Sequence, residues 1–322
     1  MTGPAPAPSP HPPEWPAELR PGAVTEVAEG VRRIVAPNPG IMTGPGTNTY
    51  LIGTDRLAVI DPGPDDPAHL AAVLEAGRDR IGWILVTHSH IDHSPLAAGL
   101  HRSTGAPVIG FGPPPRLVGT GGLDAHDGTF SPDRRLTDGD RLDLGDCALE
   151  AVYTPGHTSN HLCFELAGTG LLFSGDHVMS GSTVVIAPPD GDMAVYMESL
   201  EKVRGRDPRR IGPGHGAMIE DPVAVLDSYL RHRIEREIQV LAALPPGGGP
   251  GERIETLVGA IYVDVPAALH PVARYSVWAH LRKLAAEGLA ASPDPDDIEA
   301  PWTASPPARP RPGAGDGGGG GE

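Results

Sequence analysis

The chain has 322 residues, enough for one large domain and a small one, and it carries a formal net charge of −16. Such acidity argues against a protein that binds nucleic acid mainly through phosphate contacts, although it leaves room for a locally positive, metal-containing cleft. The sequence has two cysteines, no apolar run approaching the roughly 18 residues that span a membrane, and an N-terminus without secretory features. These features predict a cytoplasmic protein with no membrane partner.

The predicted elements follow the order of an α/β chain between two Pro- and Gly-rich tails. Residues 1–22 and 292–322 contain too few apolar residues to form a hydrophobic core, so we predict both segments to be disordered. Strands and helices alternate from residue 23 to residue 221, which predicts one large α/β domain. The predicted strands lie within 24–35, 47–53, 57–60, 81–86, 108–110, 141–153, 161–173 and 210–211, and the predicted helices span 67–75, 95–102 and 194–204.

The rest of the ordered chain is predicted to be helical. Residues 222–244 form one long connecting helix, because Leu226 and Leu230 begin an apolar stripe of helical spacing. A cluster of Pro and Gly at 245–251 then predicts a hinge. We expect residues 245–291, hinge included, to form a small separate module.

One segment carries the clearest chemistry. Residues 87–93 read Thr-His-Ser-His-Ile-Asp-His and follow directly on the apolar strand predicted at 81–86. They therefore lie at the carboxyl end of a strand, which is the edge of an α/β sheet where ligands bind. Four ligating side chains within six residues cannot all bind one ion with good geometry, but they can serve two. Imidazole and carboxylate suit zinc and its neighbours, and the four candidates are His88, His90, Asp92 and His93.

Three more candidate ligands come from similar positions downstream. His157, Asp176 and His215 each follow a predicted strand within a few residues, and each has Gly beside it. Glycine allows the backbone to turn sharply and to come close to a metal. We therefore expect these side chains to complete the site.

Taken together, these segments resemble the metallo-β-lactamase superfamily. The motifs that carry the resemblance are H-S-H-I-D-H at 88–93, P-G-H-T at 155–158, S-G-D at 174–176 and G-H-G at 214–216. The resemblance implies a four-layer αββα sandwich and two divalent metal ions, with zinc preferred and manganese or iron compatible with the same ligands. It implies that one ion is held by His88, His90 and His157, the other by Asp92, His93 and His215, and that Asp176 bridges them.

The resemblance also implies a mechanism. Asp92 would orient a hydroxide shared by the two ions for attack on an electrophilic carbonyl or phosphorus. Asp61, in Ile-Asp-Pro-Gly at 60–63, matches an aspartate that orients a ligand histidine. The remaining histidines are predicted to lie outside the site, although His161 and His177 are close enough to the ligand loops to be candidates for its support.

Further segments resemble one branch, the β-lactamase-like protein 2 family, which ends in a small winged-helix-like module. They lie at 37–43, 46–51, 196–200 and 213–216. The candidate for the winged-helix-like module is the C-terminal segment at 245–291. Ile91 and Pro95 depart from this family, which more often has a polar residue and Gly at these positions of the ligand loop.

These features leave more than one function open. The first interpretation is a hydrolase of small esters or thioesters, and the alternative is a metal-dependent endoribonuclease that acts on single-stranded RNA. A β-lactam hydrolase, a redox di-iron member and a non-enzymatic metal-binding member are less favoured. We expect the loop at 112–132 to border the pocket.

The charge of the C-terminal module favours the small-molecule substrate. A neutral module is expected to pack beside the active site or to form a homodimer. Its four basic residues are balanced by four acidic ones, namely Arg253, Arg274, Arg282 and Lys283 against Glu252, Glu255, Asp264 and Glu287.

Overall fold

Two β-sheets organise the computed structural model, which describes residues 15–114 and 125–305. The first sheet has seven strands in chain order, β1 to β7, at Val24–Ala28, Val31–Val35, Asn48–Ile52, Leu57–Ile60, Ile81–Leu85, Val108–Gly110 and Arg134–Arg135. The second sheet has five strands in reverse chain order, and β8 to β12 are Arg141–Asp143, Ala148–Tyr153, Leu162–Leu166, Leu171–Gly175 and Arg210–Pro213. Strands β4 to β7 are parallel to one another, as are β11 and β12.

Six α-helices accompany the sheets in the part of the chain that the structure describes. They are α1 to α6, at Pro67–Gly77, Leu96–Thr104, Met193–Gly205, Pro222–Ala243, Ile254–Ile261 and His270–Ala286. Three of them begin at an aspartate whose carboxylate accepts a backbone N–H of the first turn, namely Asp66, Asp192 and Asp221. Within the described ranges, none of these helices combines the length and the apolar character needed to cross a membrane.

The hydrophobic clusters show how the layers are stacked. Between the sheets, Tyr50 of β3 packs against Phe173 of β11 with ring centroids 4.9 Å apart. On the outer face of the first sheet, α1 and α2 contribute the buried Val73 and Leu100. On the outer face of the second sheet, α3 contributes Tyr196 and α4 packs beside it. The layers are helix, sheet, sheet and helix, so the predicted αββα sandwich is confirmed.

The C-terminal module has its own core, which it shares with the end of α4. Helices α5 and α6 pack with a two-stranded ribbon formed by β13 (Ala290–Ala291) and β14 (Thr303–Ala304). Trp278 and Trp302 are buried in this core. Helices followed by a short β-ribbon form the winged-helix-like arrangement that the sequence predicted.

Both ends of the fold differ from the expected disordered tails at 1–22 and 292–322. Residues 292–305 close the module, because Trp302 is fully buried and its backbone exchanges two hydrogen bonds with Glu252. Residues 15–22 include a single 3₁₀ turn with Leu19 buried. A lone aromatic residue in a Pro-rich segment gives no periodic signal, which explains the wrong expectation. Residues 1–14, 306–322 and the centre of the predicted loop, 115–124, lie outside the described residues.

Candidate metal centre

The predicted ligands meet at one edge of the sandwich, where strands β5, β9, β11 and β12 end. They form two groups, and the donor atoms within each group lie within 4.8 Å of one another. One group contains His88, His90 and His157, and the other contains Asp92, His93, Asp176 and His215.

The first group consists of three buried imidazoles. Nε2 of His88 lies 3.0 Å from Nδ1 of His90, and Nε2 of His157 lies 3.2 Å from the same atom. An ion with tetrahedral metal–nitrogen bonds of about 2.0–2.1 Å separates its nitrogen ligands by roughly 3.3 Å. The spacing of these nitrogens therefore fits the ligands of a single ion.

The second group combines two imidazoles with two carboxylates. Nε2 of His215 lies 3.3 Å from Nε2 of His93, 3.3 Å from Oδ2 of Asp92 and 3.4 Å from Oδ1 of Asp176. The other oxygen of Asp176, Oδ2, lies 3.8 Å from Nε2 of His157 in the first group. Asp176 therefore faces both groups, as a bridging ligand must.

Burial and the carboxylates shift the histidine pKa values in opposite directions in the two groups. In the first group, burial lowers the pKa of His157 to about 4 and lowers the pKa of His88 well below its ordinary value. In the second group, burial is outweighed by Asp176 and Asp92, which raise the pKa of His215 to about 10. Neutral imidazoles at His88 and His157 thus stand beside His215, at which carboxylates favour positive charge.

Hydrogen bonds orient four of the predicted ligand histidines through the ring nitrogen that faces away from the centre. Such bonds fix the rotation and the tautomer of a metal-binding imidazole. The partners of the Nδ1 atoms are Thr87 Oγ1 for His88 (2.9 Å), Asp61 Oδ2 for His93 (2.9 Å), Val185 O for His157 (2.8 Å) and Gly46 O for His215 (3.2 Å).

Asp61 supports the ligand loop at two points. Its carboxylate accepts the backbone N–H and the hydroxyl of Thr87, both at 2.8 Å, as well as the contact from His93. Asp61 is buried and has a left-handed φ of 49°. The side chain therefore fixes both the start of the loop and the ring of His93, which is where the sequence placed it.

Glycine is required beside two of the ligands for steric reasons. A Cβ at Gly214 would lie 2.5 Å from Oδ1 of Asp176 and 2.8 Å from Cε1 of His93. A Cβ at Gly156 would lie 2.3 Å from the Cα of Tyr196. Both distances are far below van der Waals contact, so the glycines let backbone pass directly behind the donor groups.

His126 is a neighbour of the site that the sequence reasoning missed. Its ring lies 4.7 Å from that of His90, and its Nδ1 is 2.8 Å from Oγ of Ser89. Its Nε2 is 3.4 Å from Oδ2 of Asp190, and Asn160 donates to Ser89 at 2.9 Å. Ser89 is therefore one link in a polar chain beside His90. No sequence signal identified this chain, because its members come from distant loops.

His161 and His177, the two candidates for support, are fully buried but do not belong to either donor group. The ring of His161 lies 5.1 Å from that of His88, and its Nδ1 is 2.9 Å from Oγ1 of Thr154. The ring of His177 lies 5.3 Å from that of Tyr196. Both residues pack beneath the site and contribute to the core there.

Comparisons with known proteins agree with this geometry. The family model of the metallo-beta-lactamase superfamily matches residues 42–215, and that of the beta-lactamase associated winged helix domain matches residues 254–300. A beta-lactamase-like protein 2 homolog of Drosophila melanogaster is 35% identical over 280 residues, which cover 83% of this chain and 91% of the relative. A lactamase-like protein of Penicillium aethiopicum is 34% identical over 263 residues, 76% of this chain and 77% of the relative.

A solved structure extends the likeness to the whole fold. A beta-lactamase domain protein from Burkholderia ambifaria covers 88% of this chain and 94% of its own, with a TM-score of 0.72 and 22% identity. The fold, the two donor groups and the family matches lead to one conclusion. This chain belongs to the metallo-β-lactamase superfamily as a metal-dependent hydrolase, and it carries the β-lactamase-associated winged-helix domain at its C-terminal end.

Proposed function

We propose that this protein is a dinuclear metal hydrolase that cleaves a small ester or thioester. The observation that carries the proposal is the placement of Asp176 between two donor groups whose atoms are spaced as metal ligands are. Divalent ions at such a site supply Lewis-acid activation of water and of the electrophile. One ion would be held by His88, His90 and His157, the other by Asp92, His93 and His215, and Asp176 would bridge them.

The donor set favours zinc in the proposed function. Five imidazole nitrogens and two carboxylates converge, and no cysteine takes part among the described residues. Nitrogen and oxygen ligands of this kind suit zinc, and manganese or iron accept them as well. Metal analysis of the purified protein therefore has to precede any assignment of the native ion.

We assign to Asp92 the role of orienting the attacking water molecule. Its side chain is 24% exposed, against 11% for Asp176 and 2% for Asp61, so it has the most open face toward the cleft. Burial would raise its pKa, but His93 and His215 hold that pKa below its ordinary value. An ionised carboxylate accepts hydrogen bonds only, so Asp92 can accept a hydrogen bond from a water molecule and orient it.

The space beside the donor groups supports a small substrate. A cavity of about 250 Å³ opens there, and its other walls include the apolar side chains of Met42, Ile91, Met179 and Val184. Pockets that bind small molecules are commonly apolar with a few placed polar groups. Ile91, a departure from the related family, is 53% exposed at this wall.

Charge pairing in the C-terminal module argues against the alternative function, an endoribonuclease. All four basic residues of the module form ion pairs with carboxylates, and cations paired in this way offer little to a phosphate backbone. The pairs are Arg253 and Arg274 with Glu299, Arg282 with Asp296, and Lys283 with Glu237 and Glu287. Single-stranded RNA is included in the substrate panel because the C-terminal module is a winged-helix domain.

Metal content and a substrate panel on one purified sample test the proposal. We expect about two ions per chain and turnover of a generic thioester or nitrophenyl ester, with single-stranded RNA and a chromogenic cephalosporin left intact. Asp92→Ala should abolish turnover while the far-UV spectrum stays unchanged, and the exposed Asp65→Ala is the matched control. RNA cleavage that is lost with the metals and in Asp92→Ala would replace the proposal with the ribonuclease alternative.

A further inference from the structure

A second, larger cavity lies between the sandwich and the C-terminal module. Its volume is about 520 Å³, within the range of pockets that enclose drug-sized ligands. One wall comes from the N-terminal part of the chain, with Trp15 and Met42, and the opposite wall comes from the module, with Tyr262 and Leu269. Helix α4 forms the floor between them.

This cavity adjoins the space at the metal centre. The walls common to both are formed by Met42, Met179, Val184, Val185 and His215. His215 is at the same time a member of the second donor group. A substrate whose scissile bond lies at the donor groups therefore extends naturally into the larger cavity.

The apolar walls indicate an apolar occupant. Ile41 is 73% exposed and Met42 is 37% exposed, and both line the cavity together with Leu19 and Val265. Apolar side chains gathered around a concave surface gain free energy when a ligand removes them from water.

Two arginines of α4 add positive charge to the cavity. Among the described residues that line it, none is Asp or Glu. Arg233 is 2% exposed and donates to the carbonyl of Val184, while its Nε has no hydrogen-bond partner in the described part of the chain. Arg236 lies 4.1 Å over the ring of Tyr262 and donates to Gln239 at 2.8 Å.

Neither arginine forms an ion pair within the described ranges, although the whole chain carries a net charge of −16. A guanidinium group that is partly withdrawn from water and lacks an acidic partner favours an anion. The cavity therefore combines apolar walls with a floor that carries two arginines and no described carboxylate.

We propose, resting on the hydrolase function above, that this cavity binds the apolar part of the ester or thioester substrate and that Arg236 binds a carboxylate carried by that part. The substrate class is an ester or thioester with a medium-length apolar group that ends in an anion. The winged-helix module acts as a wall of the specificity pocket.

A series of nitrophenyl esters from acetyl to decanoyl, with a matching series of alkyl thiol leaving groups on acetyl thioesters, tests the apolar part. We expect kcat/KM to rise about fourfold per buried methylene along one of the two series until the cavity is filled. Val265→Trp should reduce the ratio of long-chain to acetyl turnover at least tenfold. Val263→Trp is the control, because Val263 lies on the same loop, is 72% exposed and does not line the cavity.

The half-ester of decanedioic acid, compared with the decanoyl ester, tests the anionic group. We expect the wild-type protein to prefer the half-ester and Arg236→Gln to reduce that preference about tenfold. Arg231→Gln, an exposed position on the same helix outside the cavity, should keep it. Calorimetric titration with decanoate gives a second readout without turnover, and Arg236→Gln should weaken this binding by a similar factor.

The outcomes separate this inference from the function on which it rests. Metal-dependent turnover of short esters with flat profiles along both series would overturn the cavity assignment and leave the hydrolase function intact. If the wild-type protein turns over no ester or thioester, the proposed hydrolase function is wrong. Decanoate that binds equally well to wild-type protein and Arg236→Gln would overturn the anion-binding role in either case.

Discussion

The two halves of the candidate metal centre differ in their electrostatics, although every member except Asp92 is buried. In the imidazole half, burial lowers the pKa values of His88 and His157, which keeps these two rings neutral and ready to donate to a metal. In the carboxylate half, the carboxylates outweigh burial and raise the pKa values of His93 and His215. The imidazole half is His88, His90 and His157, and the carboxylate half is Asp92, His93, Asp176 and His215.

The comparison shows that carboxylate neighbours can together outweigh burial in setting the protonation of a buried histidine. Two largely buried carboxylates need compensating positive charge, which protonated imidazoles or a divalent ion can supply. The imidazole half has no such need, so its affinity for a metal depends on geometry. The two halves should therefore respond differently when their connections are removed.

Removal of the carboxylate that joins the halves should have the largest effect. Asp176→Asn keeps the volume but replaces one oxygen donor by an amide, so the shared contact to His215 and His157 is lost. We expect activity to fall by more than about 100-fold, the upper range for residues that only orient ligands. Bound metal should fall from about two ions to one or fewer per chain, as measured by elemental analysis.

A matched substitution makes the Asp176 test specific. Asp143→Asn changes an exposed aspartate on β8 of the same sheet, and it should leave metal content and activity unchanged. Full metal content together with full activity in Asp176→Asn would show that the halves work without a bridge.

The aspartates that support the two halves through hydrogen bonds give a second test, with a smaller expected effect. Asp61 holds His93 in the carboxylate half at 2.9 Å, whereas Asp190 reaches the imidazole half only through His126 at 3.4 Å. Asp61→Asn should lower zinc affinity about 10- to 100-fold, and Asp190→Asn should lower it less than about tenfold. Competition with a chromogenic chelator measures both affinities.

A reversed order of the two losses of zinc affinity would contradict the division of the site into two halves. A larger loss in Asp190→Asn would mean that the Ser89–His126–Asp190 chain controls the centre and that Asp61 serves mainly the fold of the loop. Circular dichroism on both variants separates a loss of affinity from a loss of structure.

The candidate ligands could be predicted from the sequence because each is local to a strand end. Each follows an apolar strand within a few positions, with a glycine beside His157, Asp176 and His215, and the fold brings these strand ends together. His126 and Asp190 could not be predicted, since they meet Ser89 only through contacts between distant loops. Trp302 was missed for a similar reason, because its packing partners lie in α5 and α6.

The larger cavity could not be predicted either. Its two walls come from the two ends of the chain, Trp15 on one side and Leu269 on the other. No spacing in the sequence relates such residues. Their contact depends on how the C-terminal module docks against α4, which only the three-dimensional structure describes.

His69 separates the effect of burial from the effect of a metal site. It is 2% exposed, lies outside both donor groups and has Nε2 2.8 Å from Oγ1 of Thr49. Burial lowers its pKa to about 4, against a weaker opposing effect of Asp66. His69 therefore shows what burial alone does to an imidazole, as in the imidazole half.

The sign of the pH effect follows from this shift. Between pH 6.5 and 4 the unfolded chain binds a proton at His69 and the folded chain does not, so acid favours unfolding in that window. The stability that His69 contributes is present above pH 6.5 and is lost as the pH falls to about 4. A shift of this size corresponds to about 3 kcal/mol of unfolding free energy.

Urea unfolding of wild-type protein, His69→Gln and His101→Gln at pH 7 and pH 4.5, all in one metal state, measures the effect. Glutamine at position 69 can still donate to Thr49 but cannot titrate, so the loss of stability between the two pH values should shrink by about 2 kcal/mol. The largely exposed His101 is the control and should leave that loss unchanged. Equal losses in all three proteins would show that burial of an imidazole does not change its pKa here, and the neutral rings of His88 and His157 would then need another explanation.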